Sequence, residues 1–547
     1  WICTMSALLV PLVLLVLLLL CGLCRRKRRP GEAPLVSCWI PFIGKALEFR
    51  KDAHKFLEEQ RRKYGDVFTV QIAGKYMTFI MDPLLYPNII KHGRQLDFHK
   101  FTQEVVPSTF GYPPVRNEVY PGLWDQIRRS FQLLQGDNLT PLTESMMGNL
   151  MLVFRQDHLD QNGGWKTNSM MGNLMLVFRQ DHLDQNGGWK TNSMMGNLML
   201  VFRQDHLDQN GGWKTNSMYE FCSSAMFEAT FLTIYGKPET GSRHVEMEKL
   251  RDDFVKFDNV FPLLIAQIPI WLLGQTKAIR EKLISYFLPQ QMSRWSNMSQ
   301  FIKRRSELFD QQDQLKDVHK AAHHFAIMWA SVGNTIPATF WAAYYLVRHP
   351  EALYVVRQEI LEVLRDSGVE FSPNTDTVLS RDQLDKLIFL ESSINESLRL
   401  SSSSMNIRVA QEDFALRLDA EHSVDVRKGD VIAMYPQSMH LDPEIYEDPQ
   451  TFHFDRFVQD GGGKTDFYKN GQKLKYYLMP FGSGSTICPG RYFAINEIKQ
   501  FVCLLLLYFD LQLEDEQKQP TLVSNRAGLG ILQPSTDVVL RYRRRAE

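Results

Sequence analysis

Residues 7–23 form an almost unbroken run of Leu and Val, close to the shortest stretch that crosses a bilayer as a helix, and Arg25-Arg26-Lys27-Arg28-Arg29 follow at once. This pattern predicts a transmembrane signal anchor over residues 1–24 whose basic end stays cytoplasmic. A cleaved leader would carry its charge before the apolar run and small residues after it, and neither stands out here. The chain opens on Trp1, so Met5 is the expected initiator. Pro30, Gly31, Pro34 and Pro41 interrupt any helix and predict a stiff connector over residues 25–47. Apolar positions recur with helical spacing over 49–64. Two runs rich in β-branched and aromatic residues, 67–72 and 76–81, flank Ala73-Gly74-Lys75 and predict a hairpin. Beyond them long helical patterns dominate, among them 321–347 and 491–509, so the body from 48 to 547 reads as mainly α with a small β region.

One stretch stands apart. Residues 145–168, beginning Ser145-Met146-Met147-Gly148-Asn149-Leu150, recur without a change at 169–192 and again at 193–216. Natural arrays diverge between copies and carry atypical end units. Perfect identity flanked by unrelated sequence predicts two adventitious copies that form an outward insertion and carry no chemistry.

Composition narrows the partners. With 62 basic and 62 acidic side chains, no global field draws nucleic acid. A hydrophobic fraction of 44% is enough for a large core. The seven cysteines are scattered, three of them in or beside the apolar run, which excludes a disulfide framework and fits a reducing compartment. Residues 261–273 are apolar but too short to span a bilayer and contain Pro262 and Pro269. They read either as an interfacial dip with Trp271 at headgroup depth or as a core segment.

The candidate chemistry lies in Pro480-Phe481-Gly482-Ser483-Gly484-Ser485-Thr486-Ile487-Cys488-Pro489-Gly490, which opens onto the run from 491. Its glycines permit close backbone approaches, so the loop can hold one thiolate against a flat ligand. A helix starting just after it would aim N–H groups at the sulfur and favour the anion. A phosphate loop is the poorer reading, because no Gly-Lys-Ser/Thr ending is present. An inert cysteine in a Gly-rich turn is the alternative for the loop taken alone.

Phe481, Gly484, Cys488 and Gly490 make F-x-x-G-x-x-x-C-x-G, and here the chain resembles the cytochrome P450 haem-thiolate enzymes, over nearly its whole length after the anchor apart from the extra repeats. The resemblance implies the cytochrome P450 fold and haem b, iron protoporphyrin IX, with Cys488 as its axial thiolate. It also implies dioxygen as co-substrate and NADPH electrons delivered through cytochrome P450 reductase, for which Arg128, Arg129 and Lys499 are candidate docking charges. The location it implies is the endoplasmic reticulum membrane, with the catalytic domain cytoplasmic. Glu396-Ser397-Leu398-Arg399 matches the family's E-x-x-R helix, where i, i+3 spacing makes the pair neighbours. Arg456 resembles the third member of that buried network, and all three are expected to support the haem loop. Arg408 matches the propionate-binding arginine, and Trp124-x-x-x-Arg128 the W-x-x-x-R pair. Thr486 stands where the family commonly has Arg, which shifts propionate neutralisation toward Arg128 and Arg408.

Within 321–347, Ala330-Ser331-Val332-Gly333-Asn334-Thr335-Ile336-Pro337 resembles the family's oxygen-binding helix, which usually has an acid followed by Thr. Here Gly333 and Asn334 stand at those positions. An amide can hydrogen-bond dioxygen or water but cannot relay a proton as a hydroxyl does. Proton delivery then falls to ordered water or to Thr335, if the helix turns it inward, and Asn334 and Thr335 are the candidate catalytic residues. Pro337 predicts a local bulge.

Longer phrases, including Trp329-Ala330-Ser331, Asn334-Thr335-Ile336-Pro337, Leu398-Arg399-Leu400-Ser401-Ser402 and Ala527-Gly528-Leu529-Gly530-Ile531-Leu532, resemble the sterol 7α-hydroxylases. They imply a sterol substrate hydroxylated at C7α in sterol catabolism and bile acid synthesis, and the cholesterol and oxysterol branches both contribute matching phrases. Two other readings stay open. One is a haem-thiolate isomerase of a lipid peroxide, prostacyclin synthase-like, needing neither reductase nor proton relay; the other is a non-catalytic membrane-anchored protein that binds haem or sterol.

Overall fold

The computed structural model describes residues 26–38, 40, 42–159, 212–238, 243–373 and 375–545. The expected anchor, the second repeat copy and most of the third lie outside the described residues. Among the described residues no helix is long and apolar enough to cross a membrane.

The connector is docked onto the body. Leu35 bridges to Thr69 and Gly44 to Ile72, while Glu32, 5% exposed, takes Arg427 Nη2 at 2.8 Å and Arg26 at 3.2 Å. The helix expected over 49–64 is two, Ala46–Lys51 and Ala53–Tyr64. Asp52 leaves helical geometry between them and its carboxylate caps Lys55 N–H at 3.0 Å.

The predicted hairpin is β1 (Val67–Ile72) and β2 (Lys75–Ile80), antiparallel with Val67 opposite Ile80. Ala73 and Gly74 both have positive φ, 48° and 79°, the two-residue turn whose twist matches the strands. Next come β3 (Leu96–Asp97), α1 (His99–Phe110), α2 (Leu123–Ser130) and α3 (Leu139–Leu159). At the close of the repeats, β4 (Lys214–Ser217) leads into α4 (Met218–Ile234), and α5 (Arg243–Ile265) follows. The long central pattern is α6 (Asp317–Val332) and α7 (Thr335–Arg348). Further on are α8 (Pro350–Asp366), α9 (Ile388–Ser401), β5 (Asn406–Ala410), β6 (Val431–Met434), α10 (Arg491–Tyr508), β7 (Phe509–Leu513) and β8 (Val539–Arg544). One sheet runs β1-β2-β6-β5-β3, with β6 parallel to β2; another runs β7-β8-β4.

Both ends of the repeated stretch are built into these layers. Met146, Met147 and Leu150 of the first copy are fully buried on α3, and the close of the third copy forms β4, where Lys214 pairs with Tyr542 of β8. At the centre, α7 packs against α4, α9 and α10, and Trp341 Nε1 donates to Leu532 O at 2.7 Å. The segment 261–273 divides: Phe261 and Leu264 enter the core, whereas Ile268, Trp271 and Leu272 are exposed, Trp271 by 72%.

The break between α6 and α7 falls at Gly333-Asn334, one turn before Pro337. Proline has no N–H to give Gly333 O, and its ring crowds the carbonyl four residues back, so the helix opens where the clash would fall. Ala338 N–H resumes the ladder on Asn334 O at 3.1 Å.

Candidate active site

Glu396 and Arg399 have wholly buried side chains. Arg399 donates from Nε at 2.7 Å and Nη2 at 2.8 Å to the two carboxylate oxygens, and Arg456 Nε adds a third bond at 2.8 Å. The structure therefore brings together all three members expected from sequence. Arg399 Nη1 reaches on to His440 O at 2.5 Å and Pro449 O at 2.6 Å. His440 Nε2 in turn accepts from Met479 N–H at 3.0 Å, which requires a neutral ring, and burial holds this imidazole down at about 3. Through that bond the ion network grips the segment that enters the cysteine loop.

In the loop, Cys488 N–H donates to Phe481 O at 2.8 Å, and Gln135 Nε2 to Pro489 O at 2.9 Å. Gly484 has φ +61°, and a Cβ there would stand 2.5 Å from Ile90 Cγ2, so a side chain is excluded on two counts. Cys488 is half-buried. Burial pushes its thiol up, while backbone N–H groups of Gly490 and Arg491, at the start of α10, and the Arg491 charge favour the thiolate.

Beside the loop lies a cationic cluster. Arg408 is 4% exposed; it donates to Ser483 O at 3.2 Å and to Ile407 O at 2.8 Å and faces the Phe98 ring. Burial pulls its guanidinium below the usual value, with Asp97 raising it. His99, at the start of α1, stacks edge-on against Trp124 at 5.4 Å. Burial lowers its pKa, Asp97 raises it, and both Arg128 and Arg408 lower it further. His99 thus contacts Trp124 and lies within electrostatic reach of both Arg128 and Arg408. His99 was missed by sequence reasoning; a histidine following Asp97-Phe98 carries no motif, and only the fold brings it beside Trp124.

At the helix break Asn334 Oδ1 accepts from Ile531 N–H at 3.0 Å. Gly530, φ +115°, leaves room for that amide, since its Cβ would overlap the Asn334 side chain. The carbonyl end of Asn334 is thus committed to the loop at 527–532, leaving its NH2 for a ligand. Thr335 is turned inward, 5% exposed, with Oγ1 2.9 Å from Ser331 O.

The sequence model described as Cytochrome P450 matches residues 34–177 and 191–540. The chain belongs to the cytochrome P450 family. Its relatives include Cytochrome P450 7B1 of Mus musculus, 38% identical over 95% of this chain and 92% of the relative. Cholesterol 7-alpha-monooxygenase of Cricetulus griseus is 40% identical over 95% of both chains. 25-hydroxycholesterol 7-alpha-hydroxylase of Rattus norvegicus is 37% identical over 84% of this chain and 98% of its own length.

A P450 carries haem with a cysteine thiolate ligand, and the residues present in this P450 fit that group. One thiol sits in a loop held open by glycine and faces two backbone donors. The adjoining Arg408 is buried against neutral carbonyl oxygens, so its charge calls for an anion such as a propionate. One sequence reading is corrected. Lys499 is not a docking charge: it is 1% exposed and donates to Glu391 at 2.7 Å and Leu384 O at 2.8 Å, because the apolar face of α10 draws it inward. Arg128 and Arg129 are exposed.

Proposed function

We propose that this P450 is a membrane-anchored monooxygenase hydroxylating a sterol, cholesterol or a side-chain oxysterol, at C7α. The observation that carries this reading is 40% identity over 95% of the chain to a relative named Cholesterol 7-alpha-monooxygenase. Haem, when bound, supplies the oxidation, in which one atom of dioxygen enters the substrate and the other leaves as water at the cost of two electrons and two protons. The protein's own residues do the rest. Cys488 would hold the haem iron through its thiolate, with Phe481, Gly484 and Gly490 shaping its loop, and the Gly490 and Arg491 N–H groups share the sulfur's charge. Arg408, Arg128, Trp124 and His99 would hold the propionates. Glu396, Arg399 and Arg456 fix the segment ahead of the loop. Asn334 and Thr335 line the oxygen side, and electrons come from NADPH through the reductase.

Residues 1–24 serve as the anchor in the endoplasmic reticulum membrane, and exposed Ile268, Trp271 and Leu272 suit contact with its surface. Two of the three repeat lengths are adventitious, with the start of the first copy on α3 and the close of the third in β4 belonging to the body; a transcript carrying one copy is the expected result. Incubation with reductase, NADPH and either cholesterol or 25-hydroxycholesterol, with mass spectrometry of products, tests the function. NADPH-dependent 7α-hydroxysterol is expected. Turnover of a lipid peroxide without NADPH would instead establish the isomerase, and no thiolate-type carbon monoxide band in folded protein supplied with haem would establish the non-catalytic reading.

A further inference from the structure

Asp258 lies in the second half of α5, 3% exposed, and its carboxylate joins separate parts of the chain. Trp329 Nε1, from α6, donates to Oδ1 at 2.9 Å. Arg526 Nη2 donates to the same oxygen at 3.0 Å, and Gln533 Nε2 to Oδ2 at 3.1 Å. Arg526 Nη1 adds a bond to the Asp258 backbone oxygen at 2.9 Å. Arg526 and Gln533 stand at the two ends of the segment 526–533, so one side chain grips both. Indole and guanidinium carry donors and no acceptor, and Gln533 turns its NH2 this way, so α6 and the segment cannot bond each other through these groups. The acceptor has to come from a third element, and Asp258 supplies it. Phe261, one turn further along α5, stacks on Trp329 with ring centroids 3.8 Å apart and so fixes the indole a second time.

Between its ends the segment meets the α6–α7 break. Ile531 N–H donates to Asn334 Oδ1 at 3.0 Å, and Gly530, at φ +115°, leaves room for the amide. That pairing settles which way the amide faces, since its oxygen is spent on Ile531 and its NH2 is the end left for a ligand. With the segment displaced, the amide is free to turn over and offer an acceptor there instead. From behind, Ser401 and Ser403 at the end of α9 hold the segment by backbone bonds of 2.7–2.9 Å to Gly528, Gly530 and Leu532. Trp341 of α7 holds Leu532 O. Toward α6 and its break the segment is held by two rungs, Asn334–Ile531 and the Asp258 bridge.

We propose that Asp258 is a positioning residue for the monooxygenation proposed above, on which this inference rests. By bridging Trp329 to Arg526 and Gln533 it keeps Ile531 N–H on Asn334 Oδ1, and so keeps the Asn334 NH2 on the oxygen side of the site. Asp258 acts through Asn334 and through it alone.

The test is Asp258→Asn in the full-chain holoenzyme, beside Asn334→Leu and the double variant. Asparagine keeps the shape and loses the charge, and its NH2 end meets the donors of Arg526 or Gln533. Amide hydrogen exchange across 526–533 is expected to quicken. The infrared C–O stretch of the ferrous carbon monoxide complex shifts from the wild-type position toward that of Asn334→Leu. With reductase, NADPH and cholesterol, product per NADPH falls by roughly tenfold to a hundredfold, and hydrogen peroxide takes its place. In the Asn334→Leu background the same change at Asp258 adds nothing to the band shift or to the uncoupling, because the two residues act in series. A purely structural ion pair would lower stability in both backgrounds and leave the band in place. An Asp258→Asn enzyme whose exchange, band or coupling stays wild-type, an undiminished effect in the Asn334→Leu background, or a wild-type band in Asn334→Leu itself overturns the proposal. Should Asp258→Asn fail to fold, Gln533→Leu decides: it removes one neutral bond and strands no charge, and a wild-type band there overturns the proposal. A wild type that makes no sterol product refutes the monooxygenase reading alone, since the carbon monoxide band is read without turnover.

Discussion

Glu396→Gln is nearly isosteric, yet it strikes the point where the folded chain has the most to lose. The carboxylate accepts Arg399 Nε and Nη2, Arg456 Nε and, at 3.2 Å, His453 N–H. Charge-assisted bonds contribute about 1.5–3 kcal/mol each, so a simple sum over the three guanidinium bonds would reach roughly 4–9 kcal/mol. They share one acceptor and are not additive, and breaking a buried pair by removing one partner costs about 3–5 kcal/mol, chiefly from the charge left behind. That smaller figure is the expected loss. Against a total stability of about 5–15 kcal/mol it is severe. Because His440 and Met479 hang from the same network, the cysteine loop should loosen before the helical core. Urea titration followed in parallel by the thiolate-type carbon monoxide band and by tryptophan fluorescence should therefore show haem loss at lower urea than unfolding. Replacing both partners, Glu396→Leu with Arg399→Met, should restore part of the loss, because no buried charge is stranded. A Glu396→Gln protein within about 1 kcal/mol of wild type, losing haem and fold together, would refute the reasoning.

Three further outcomes follow from other parts of the molecule. Arg408→Leu removes the most buried cation of the propionate cluster and should weaken haem retention by about 1.5–3 kcal/mol, measured by transfer to an apo-acceptor, with Arg408→Lys recovering only part of it. Gly530→Ala forces a side chain at φ +115° against Asn334 and should cost about 1–3 kcal/mol in denaturant midpoint while releasing the Asn334–Ile531 bond. Burial raises the Glu32 carboxyl, but the Arg427 hydrogen bond, the Arg29 N–H and the Arg26 and Arg427 charges outweigh it and hold it at about 2. Since this folded value lies below the ordinary glutamate value of 4.5, the stability it contributes is present above pH 4.5 and lost as pH falls toward 2; limited proteolysis of the connector should accelerate over that window, and far less so in Arg427→Met.

Much of the site could be read from local spacing. Cys488 with its glycines and the Glu396–Arg399 pair on one helical face express short-range geometry that the backbone alone imposes, whereas the inward turn of Thr335, left open by the sequence, was decided by packing. The hairpin followed from β-rich runs around a two-residue turn, and the α6–α7 break from Pro337, although it opened at Gly333 because proline disturbs the residue four places earlier. Other features depended on which distant segments meet. His99 joined the cationic cluster only because α1 lies beside Trp124 of α2. Lys499 reads as a surface charge along the chain but is buried on α10, and Glu497 meets the Thr230 hydroxyl only because α4 and α10 come together in the fold. Sequence by itself determined which atoms were available and how neighbours along one element face each other. Tertiary structure decided which charges lost their water, and in a low-dielectric interior that loss sets whether a group is a surface charge or a structural ion.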